Sequence, residues 1–254
     1  MSVRPRKELG QHFLVDENIL GVIGRLAGLE PDDVVLEIGP GLGVLTRYLA
    51  RRVSLVHAVE IDRSLAAHLA GIPNVRLELG DALQLDLADL EPPPRKLVSN
   101  LPYNVATPIV VESLDGLPAL RSWCVMVQRE VAERFFAGPG TKAYGAVSVL
   151  VRLAAERTGL HPVSRTVFRP PPKVDSALVA FRRTPLPDRF LQVKSLVEAA
   201  FAHRRKTLPN SLSLAGAASR DRAVEALIAL GRPPAVRAEA LEPEEFVELE
   251  RLLS

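Results

Sequence analysis

The sequence contains a single cysteine, Cys124, in 254 residues. An internal disulfide framework is therefore excluded, which indicates a reducing compartment. Long apolar runs are also missing, since none approaches the roughly 18 residues of a membrane-spanning helix. The first residues, MSVRPRKELGQHF, are basic but lack the apolar stretch of a secretory signal. These absences predict a cytoplasmic protein without a membrane partner.

Net charge is small, at +2, but the charges are unevenly distributed. Residues 31–120 hold 7 basic and 12 acidic side chains, whereas residues 121–183 hold 11 basic and 4 acidic ones. A basic block beside an acidic one favours a polyanionic partner on one face. Random clustering of surface charge explains the same counts equally well, so charge alone does not identify a partner.

Residues that bind metals are few. His57 and His68 have no second ligand at the spacing of a metal site, so we expect no metal cofactor. Cys124 lies in an apolar run and is interpreted as a buried core residue. Trp123 and the pair Phe135 and Phe136 are likewise assigned to the core.

Patterns of strand and helix alternate from residue 34 onward. Apolar runs typical of strands occur at residues 34–40, 54–62, 75–82, 96–103 and 122–129, and helical patterns follow at 44–52, 64–71 and 130–138. Strands that alternate with helices predict a parallel sheet covered on both faces.

Two more strands are predicted at residues 157–163 and 176–183, with the proline-rich loop 168–175 between them. No helix fits in this loop, so the pair is interpreted as an antiparallel hairpin. The segment TPLPD at 184–188 then interrupts the pattern, and everything beyond it is helical. We therefore expect one domain of residues 1–185 and a small helical domain of residues 186–254.

Three glycines, Gly39, Gly41 and Gly43, follow the first strand of this series and precede a helix. Glycines there allow a tight turn and the close approach of a ligand to the backbone. The spacing is not that of a dinucleotide site, which requires a third glycine at the position of Val44. A tight turn without any ligand remains an alternative for this motif.

Acidic residues near successive strand ends extend the motif. Glu60 can accept both hydroxyl groups of a ribose, and Asp81 can meet the exocyclic amine of an adenine. Glu37 can face the ammonium group of an amino acid. All of these strand ends share one edge of the sheet, where open α/β folds bind ligands. Together they describe a nucleoside with an amino-acid tail, which predicts S-adenosylmethionine as the cofactor.

The segment NLPY, residues 100–103, ends the next strand at the same edge. An exocyclic amine of a base is a poor nucleophile, and acceptors on its N–H groups favour a more tetrahedral nitrogen. Asn100 Oδ1 can be one acceptor and the carbonyl of Leu101 the other, held rigid by Pro102. Tyr103 offers a face for base stacking. The alternative is an ordinary turn with a buried tyrosine.

Basic residues occur in two places that suit nucleic-acid binding. Those in the segment HRRKT, residues 203–207, can bind phosphates, although a solvated helix face is the alternative. Others flank the proline-rich loop. The candidate RNA-binding residues are Arg165, Arg169, Lys173, Arg204, Arg205 and Lys206.

Taken together, the motifs resemble a known family. NLPY is similar to the signature [N/D]-P-P-[Y/F/W] of amino-methyltransferases, in the variant of the RNA adenine N6-dimethylases. Matching segments occur in order at residues 7–14, 37–46, 59–62, 80–83, 100–104, 127–151, 168–177, 199–212 and 236–246. The sequence thus resembles the KsgA-type small-subunit rRNA dimethyladenosine transferases. The last two segments distinguish it from the related large-subunit rRNA dimethylases.

This resemblance implies a Rossmann-like class I S-adenosylmethionine-dependent methyltransferase fold, with a seven-stranded mixed sheet and a C-terminal helical domain. It implies dimethylation of two adjacent adenosines near the 3′ end of small-subunit rRNA, late in assembly of the ribosomal small subunit. Asn100 and Tyr103 would hold the target base, with Phe168 on its other face. The implied donor contacts are His12, Leu14, Gly39, Glu60, Asp81 and Asn100. His12 stands where the family often has asparagine.

Three hypotheses stay open on the sequence alone. The first is the small-subunit rRNA enzyme, expected to act as a monomer. The second is an enzyme with another amine substrate, either large-subunit rRNA or a small molecule; the basic block of residues 121–183 and the helical tail argue against the small molecule. The third is an assembly factor for which methylation is secondary.

Overall fold

The computed structural model describes residue 6 and residues 9–254. Lys7 and Glu8, which begin the matching segment 7–14, lie outside the described residues. The chain divides into two compact units, each of which is built from two stretches of sequence. The first unit comprises Met1–Ala132 and Arg157–Arg183, and the second comprises Glu133–Glu156 and Thr184–Ser254.

A seven-stranded mixed sheet confirms the predicted fold class. The strands of the molecule are β1 (Phe13–Leu14), β2 (Val34–Ile38), β3 (Leu55–Glu60), β4 (Val75–Leu79), β5 (Lys96–Asn100), β6 (Ser122–Gln128), β7 (Ala155–Val163), β8 (Phe168–Arg169) and β9 (Ser176–Arg183). The large sheet has the order β4-β3-β2-β5-β6-β9-β7. Strands β2 to β6 pair in parallel, and β9 pairs antiparallel with β6.

Ten helices surround or follow these strands in the part of the chain that the structure describes. They are α1 (Asn18–Ala27), α2 (Val44–Ala50), α3 (Ala66–Leu69), α4 (Ala106–Gly116), α5 (Arg129–Phe135), α6 (Ala146–Ala154), α7 (Phe190–Ala202), α8 (Leu208–Leu214), α9 (Arg220–Ala229) and α10 (Pro243–Leu253). None of those helices is long and apolar enough to cross a membrane.

The centre of the sheet is covered on both faces. Val35 and Leu36 are consecutive residues of β2 and therefore point to opposite faces, yet both are fully buried. Helix α1 packs against β5, β6 and β9, and α2 packs against β3. Near-continuous apolar strands are what such double coverage requires.

Of the side chains assigned to the core, Trp123, Cys124 and Phe135 are buried, whereas Phe136 is only half-buried. Trp123 stacks on Phe181 with ring centroids 5.1 Å apart, and both are almost fully buried. Cys124 is buried in the next position of β6, and burial raises the pKa of its thiol to about 12. Phe135 is also completely buried.

The second unit is helical and has its own core around Tyr144, Phe201 and Phe246. The Tyr144 ring meets Phe201 edge-on at 6.0 Å, and its hydroxyl donates to Leu241 O at 2.7 Å. Helix α6 packs against α7 and α10. Residues 133–156, which the sequence-based division places in the first domain, therefore group with the C-terminal helices. The pattern of α6 alone does not reveal which partner it buries its apolar face against.

A separate two-stranded sheet joins distant parts of the first unit. Strand β1 pairs antiparallel with β8, so that Leu14 lies opposite Phe168 and Phe13 opposite Arg169. Val15 N–H extends the ladder by donating to Val167 O at 2.9 Å. This pairing fixes residues 13–15 beside the start of the proline-rich loop.

Candidate active site

A cavity of about 280 Å³ opens at the carboxyl ends of strands β2 to β5. This is the edge at which open α/β sheets bind ligands. Seven of the predicted site residues line it, together with Glu37. They are His12, Leu14, Gly39, Glu60, Asp81, Asn100 and Tyr103. The structure thus brings the residues predicted to bind the donor and those predicted to bind the target amine into one cavity.

The glycine turn between β2 and α2 depends on glycine for two reasons. Gly39 and Gly41 have φ angles of +72° and +60°, which residues with a Cβ rarely adopt. A Cβ at Gly39 would lie 3.1 Å from the Pro102 ring, and one at Gly41 would lie 3.0 Å from Phe13. These two positions therefore have to lack a side chain so that Pro102 and Phe13 can pack against the turn.

Glu60 lies under this turn, at the end of β3. Its Oε2 accepts a hydrogen bond from Gly41 N–H at 3.0 Å, and its Oε1 accepts one from Asp62 N–H at 2.9 Å. Burial raises the pKa of Glu60, while these backbone donors oppose the rise. The backbone N–H of Ile61 also acts on the carboxylate, which has about four lone-pair sites in all and so can still accept from a hydroxyl group.

Glu37 is buried in β2, with only 1% of its surface exposed, and it lines the same cavity. Its Oε2 has no hydrogen-bond partner in the described structure. Burial raises the pKa of Glu37 to about 8, and the Glu60 carboxylate adds to the rise. Thr46 opposes this rise, but a buried carboxyl oxygen without a partner is costly unless a ligand satisfies it.

Asp81 and Asn100 each keep one side-chain oxygen without a hydrogen bond among the described residues. Asp81 Oδ1 accepts from Leu83 N–H at 3.0 Å, which leaves Oδ2. Asn100 Nδ2 donates to His12 O at 3.2 Å, which leaves Oδ1 as an acceptor. Both residues line the cavity, so these oxygens are available to amine groups there.

The N-terminal segment forms one wall of the cavity through contacts that sequence reasoning missed. Gln11 Nε2 donates to Asp62 Oδ2 at 3.0 Å. Burial favours a higher pKa for Asp62, but hydrogen bonds from Ser64 and Gln11 outweigh this effect, so the pKa of Asp62 is lowered. His12 Nδ1 donates to Pro170 O at 2.8 Å. Asp62 lies in the matching segment 59–62, but nothing in the sequence indicates that Gln11 is its partner.

Tyr103 has two neighbours of interest. Its ring lies 5.5 Å from the His12 ring, tilted by 32°. Its hydroxyl lies 2.5 Å from Ser176 Oγ, at the start of β9. Burial raises the pKa of the Tyr103 phenol, so it stays protonated at neutral pH. Ser176 was not predicted, since 73 residues separate it from Tyr103.

Phe168 lies elsewhere. It is only 3% exposed, packs in a hydrophobic cluster with Leu14, Ile19 and Leu178, and is not among the residues that line the cavity. Its pairing with Leu14 in the small sheet directs it there. Stacking of Phe168 on a base therefore requires a movement of β8, and this role stays a prediction.

The six candidate RNA-binding residues are exposed, but they belong to different units. In the first unit, Arg165 precedes the proline-rich loop 168–175, and Arg169 and Lys173 lie within that loop. In the second unit, Arg204 Nη2 donates to Tyr144 O at 3.1 Å, so it also supports the fold. Arg205 and Lys206 make no side-chain hydrogen bond within the described part of the chain.

This chain is similar to known proteins over nearly its whole length. A sequence model described as "Ribosomal RNA adenine dimethylase" matches residues 3–251. A protein called "Ribosomal RNA small subunit methyltransferase A" from Rubrobacter xylanophilus is 50% identical over 99% of this chain and 96% of its own length. A protein of the same description from Kineococcus radiotolerans is 48% identical, covering 98% of this chain and 86% of its own length.

Solved structures show the same fold. A dimethyladenosine transferase from Plasmodium falciparum superposes with a TM-score of 0.75 at 24% identity, covering 94% of this chain and 96% of that one. The 23S rRNA methyltransferase ErmE has a TM-score of 0.67 at 30% identity, covering 95% of this chain and 99% of its own. With a family match that spans almost every residue, the chain belongs to the ribosomal RNA adenine dimethylase family.

Proposed function

We propose that this protein transfers methyl groups from S-adenosylmethionine to N6 of two adjacent adenosines near the 3′ end of small-subunit rRNA, during late assembly of the small subunit. Full-length relatives with about half of their residues identical carry the description of small-subunit methyltransferases, which supports the choice of subunit. The C-terminal segments 199–212 and 236–246 support the same choice.

The cavity fits the proposed donor. The unpartnered Glu37 Oε2 suits an ammonium group, and the bare glycine turn leaves room for a ligand against the backbone. We assign the ribose hydroxyls to Glu60 and the adenine amine to Asp81, with His12, Leu14, Gly39 and Asn100 as further contacts. When bound, S-adenosylmethionine supplies an activated methyl group on its sulfonium.

Asn100 carries the proposal, because its free Oδ1 lines the same cavity as the donor residues. It would accept one N–H of the target amine, and the Leu101 carbonyl would accept the other. The ring of Tyr103 would hold the face of the base, in a contact worth roughly 1–3 kcal/mol. Positioning and electrostatics carry the rate in this scheme, and the methylated, cationic nitrogen is acidic enough to lose its proton to water, so the chain needs no general base.

Docking on rRNA is assigned to both parts of the chain. Residues 1–185 would form the catalytic domain, and residues 186–254 the docking domain, to which the compactness of the second unit adds residues 133–156. Arg165, Arg169, Lys173, Arg204, Arg205 and Lys206 would contact phosphates. We propose that the protein acts as a cytoplasmic monomer on immature small subunits.

The decisive experiment supplies labelled donor and the protein to three substrates: unmethylated small subunits, naked small-subunit rRNA and large-subunit rRNA. Mapping of the product should place N6,N6-dimethyladenosine at two neighbouring positions near the 3′ end of the small-subunit rRNA. Absence of this nucleoside from every sample would refute the enzyme. Its appearance in small subunits but not in naked rRNA would indicate that an assembled particle is recognised.

A large-subunit rRNA substrate is the second candidate. The observation that favours it is the 30% identity and full-length superposition with the 23S rRNA methyltransferase ErmE. Product confined to large-subunit rRNA in the same experiment would select this candidate. The greater identity to the small-subunit relatives favours the first.

A further inference from the structure

The Tyr103 side chain is held at both ends. Its main chain follows Pro102 in a turn tied to the sheet, where Leu101 N–H donates to Met126 O at 3.1 Å. At the other end, the phenol oxygen lies 2.5 Å from Ser176 Oγ. The ring between these points lines the cavity. Rotation about the Cα–Cβ bond would move the phenol oxygen away from Ser176, whereas rotation about Cβ–Cγ leaves that oxygen in place, so the contact fixes the position of the ring axis in the cavity.

Ser176 is itself immobilised. It is completely buried, and it lies opposite Gln128 in the antiparallel pairing of β9 with β6. The residue before it, Asp175, accepts a hydrogen bond from Arg129 N–H at 3.0 Å. The hydroxyl therefore projects from a backbone with fixed position on both sides.

The sheet relates this serine to the proposed amine-binding residue. Asn100 lies opposite Met126 in the pairing of β5 with β6, and Ser176 is attached to the other side of β6. Three adjacent strands thus set the distance between Asn100 and Ser176. Packed strands deform little, so this distance changes little during a reaction cycle.

We propose that Ser176 is a positioning residue for methyl transfer, whose hydroxyl fixes the Tyr103 ring as the surface for the target base relative to Asn100. This inference rests on the function proposed above. Ser176 is not among the residues that line the cavity, so it acts through Tyr103 and not on the base itself.

Loss of this hydroxyl should affect the acceptor and not the donor. Without it, the half-buried phenol loses its partner and the ring gains freedom, which spreads the target nitrogen over more positions. Displacements of this kind slow a reaction that depends on alignment. The donor contacts of Glu60 and Asp81 do not involve Ser176, so donor affinity should stay the same.

A double-mutant cycle tests the inference with Ser176→Ala, Tyr103→Phe and the combined variant. We expect Ser176→Ala to lower kcat/KM for RNA roughly tenfold, with the donor Kd from calorimetry within about twofold of the unchanged protein. In the Tyr103→Phe background, where the ring remains but the hydroxyl is gone, Ser176→Ala should have no further effect.

A matched control is Ser113→Ala. Ser113 is also a buried serine bonded to an aromatic residue, since its Oγ accepts from Trp123 Nε1 at 2.8 Å, but it does not line this cavity. It should lower the unfolding temperature without changing kcat/KM by more than about twofold.

An equal cost of Ser176→Ala in both backgrounds would overturn the inference, because the serine would then act by packing alone. A rise in donor Kd that accounts for the whole loss would also overturn it. Absence of dimethyladenosine with the unchanged protein would instead remove the proposed function, and the inference with it. The two failures are therefore distinguishable.

Discussion

Glu37 is a buried carboxyl group whose pKa differs strongly between the folded and the unfolded chain. The fold buries this carboxyl group against Glu60 and leaves Oε2 without a partner. In the unfolded chain the group titrates near its ordinary pKa of 4.5, whereas in the folded protein its pKa is about 8. Between these values the folded state binds more protons, so its stability falls as pH rises.

Glu37→Gln should remove this pH dependence. We expect the variant to gain stability over the unchanged protein as pH rises from 5 to 8, by up to about 1.4 kcal/mol per pH unit. Urea unfolding without donor at four pH values measures the difference. Glu198→Gln, at an exposed position of α7, is the control and should show no such trend. A constant difference across the range would contradict the burial of a neutral Glu37.

Asn100→Ala should abolish turnover and spare RNA binding. The substitution removes the proposed acceptor for the target amine, whereas the basic residues that would bind phosphates are untouched. We expect a loss of kcat of at least about 100-fold, with RNA affinity from filter binding within about threefold. An equal loss of affinity and turnover would show that Asn100 binds RNA and does not act in the transfer step.

Sequence reasoning located the site residues that follow strands. Glu60, Asp81 and Asn100 line one cavity, as predicted, because the carboxyl ends of parallel strands share one edge and chain order alone predicts their proximity; their roles stay predictions. Ser176 and Gln11 were missed because their partners come from pairings 73 and 51 residues away. No local pattern encodes such pairs, and the burial of Phe168 was hidden for the same reason.

At the scale of single elements, two glycines separate the two costs of adding a Cβ: the unfavourable backbone conformation and the steric clash. Gly41 and Gly71 both have positive φ angles, +60° and +75°. A Cβ at Gly41 would meet Phe13 at 3.0 Å, whereas one at Gly71 would meet nothing within 4 Å. The difference between the two sites is therefore the close approach of β1.

Gly41→Ala should accordingly cost more than Gly71→Ala. We expect about 1 kcal/mol for Gly71→Ala from its backbone conformation alone, and about 2–4 kcal/mol for Gly41→Ala. Only Gly41→Ala should weaken donor binding, because Gly41 N–H also holds Glu60. Thermal unfolding and calorimetry provide the two measurements. Equal stability costs would mean that Phe13 moves aside freely.

The elements themselves were predictable where their patterns are local. All seven strands of the large sheet were found, but β4 and β5 end at Leu79 and Asn100, three residues before the predicted ends. The residues beyond, such as Gly80 and Pro102, leave the sheet to line the cavity. Strand β1 and strand β8 have two residues each, and only their mutual pairing makes them strands.

At the scale of the whole molecule, basic residues that could bind RNA occur in both compact units. The basic block of residues 121–183 contributes to both of them, and the HRRKT segment belongs to the second. Phosphate contacts release counterions, so each contact adds to the salt dependence of RNA affinity. Salt dependence therefore reports whether a given basic residue touches RNA.

Lys173→Gln and Arg205→Gln should each reduce the slope of log Kd against log salt by about 0.7–0.9. The combined variant should reduce it by the sum, since the two residues lie in different units. Arg51→Gln, at an exposed position after α2, should leave the slope unchanged. An unchanged slope for Arg205→Gln would assign the HRRKT segment to a solvated helix face. Arg204 is avoided because its bond to Tyr144 O supports the fold.

The pairing of β1 with β8 also determines at which point of translation the cavity can be completed. The wall that residues 11–14 add to the cavity is held by Phe168, Arg169 and Pro170, and the Tyr103 ring is held by Ser176. A nascent chain that has already produced the glycine turn, Glu60 and Asn100 still lacks these supports. The wall beside the glycine turn can be completed only after translation has passed Pro170, and the Tyr103 ring gains its support only with β9, so the two sides of the cavity are completed in that order.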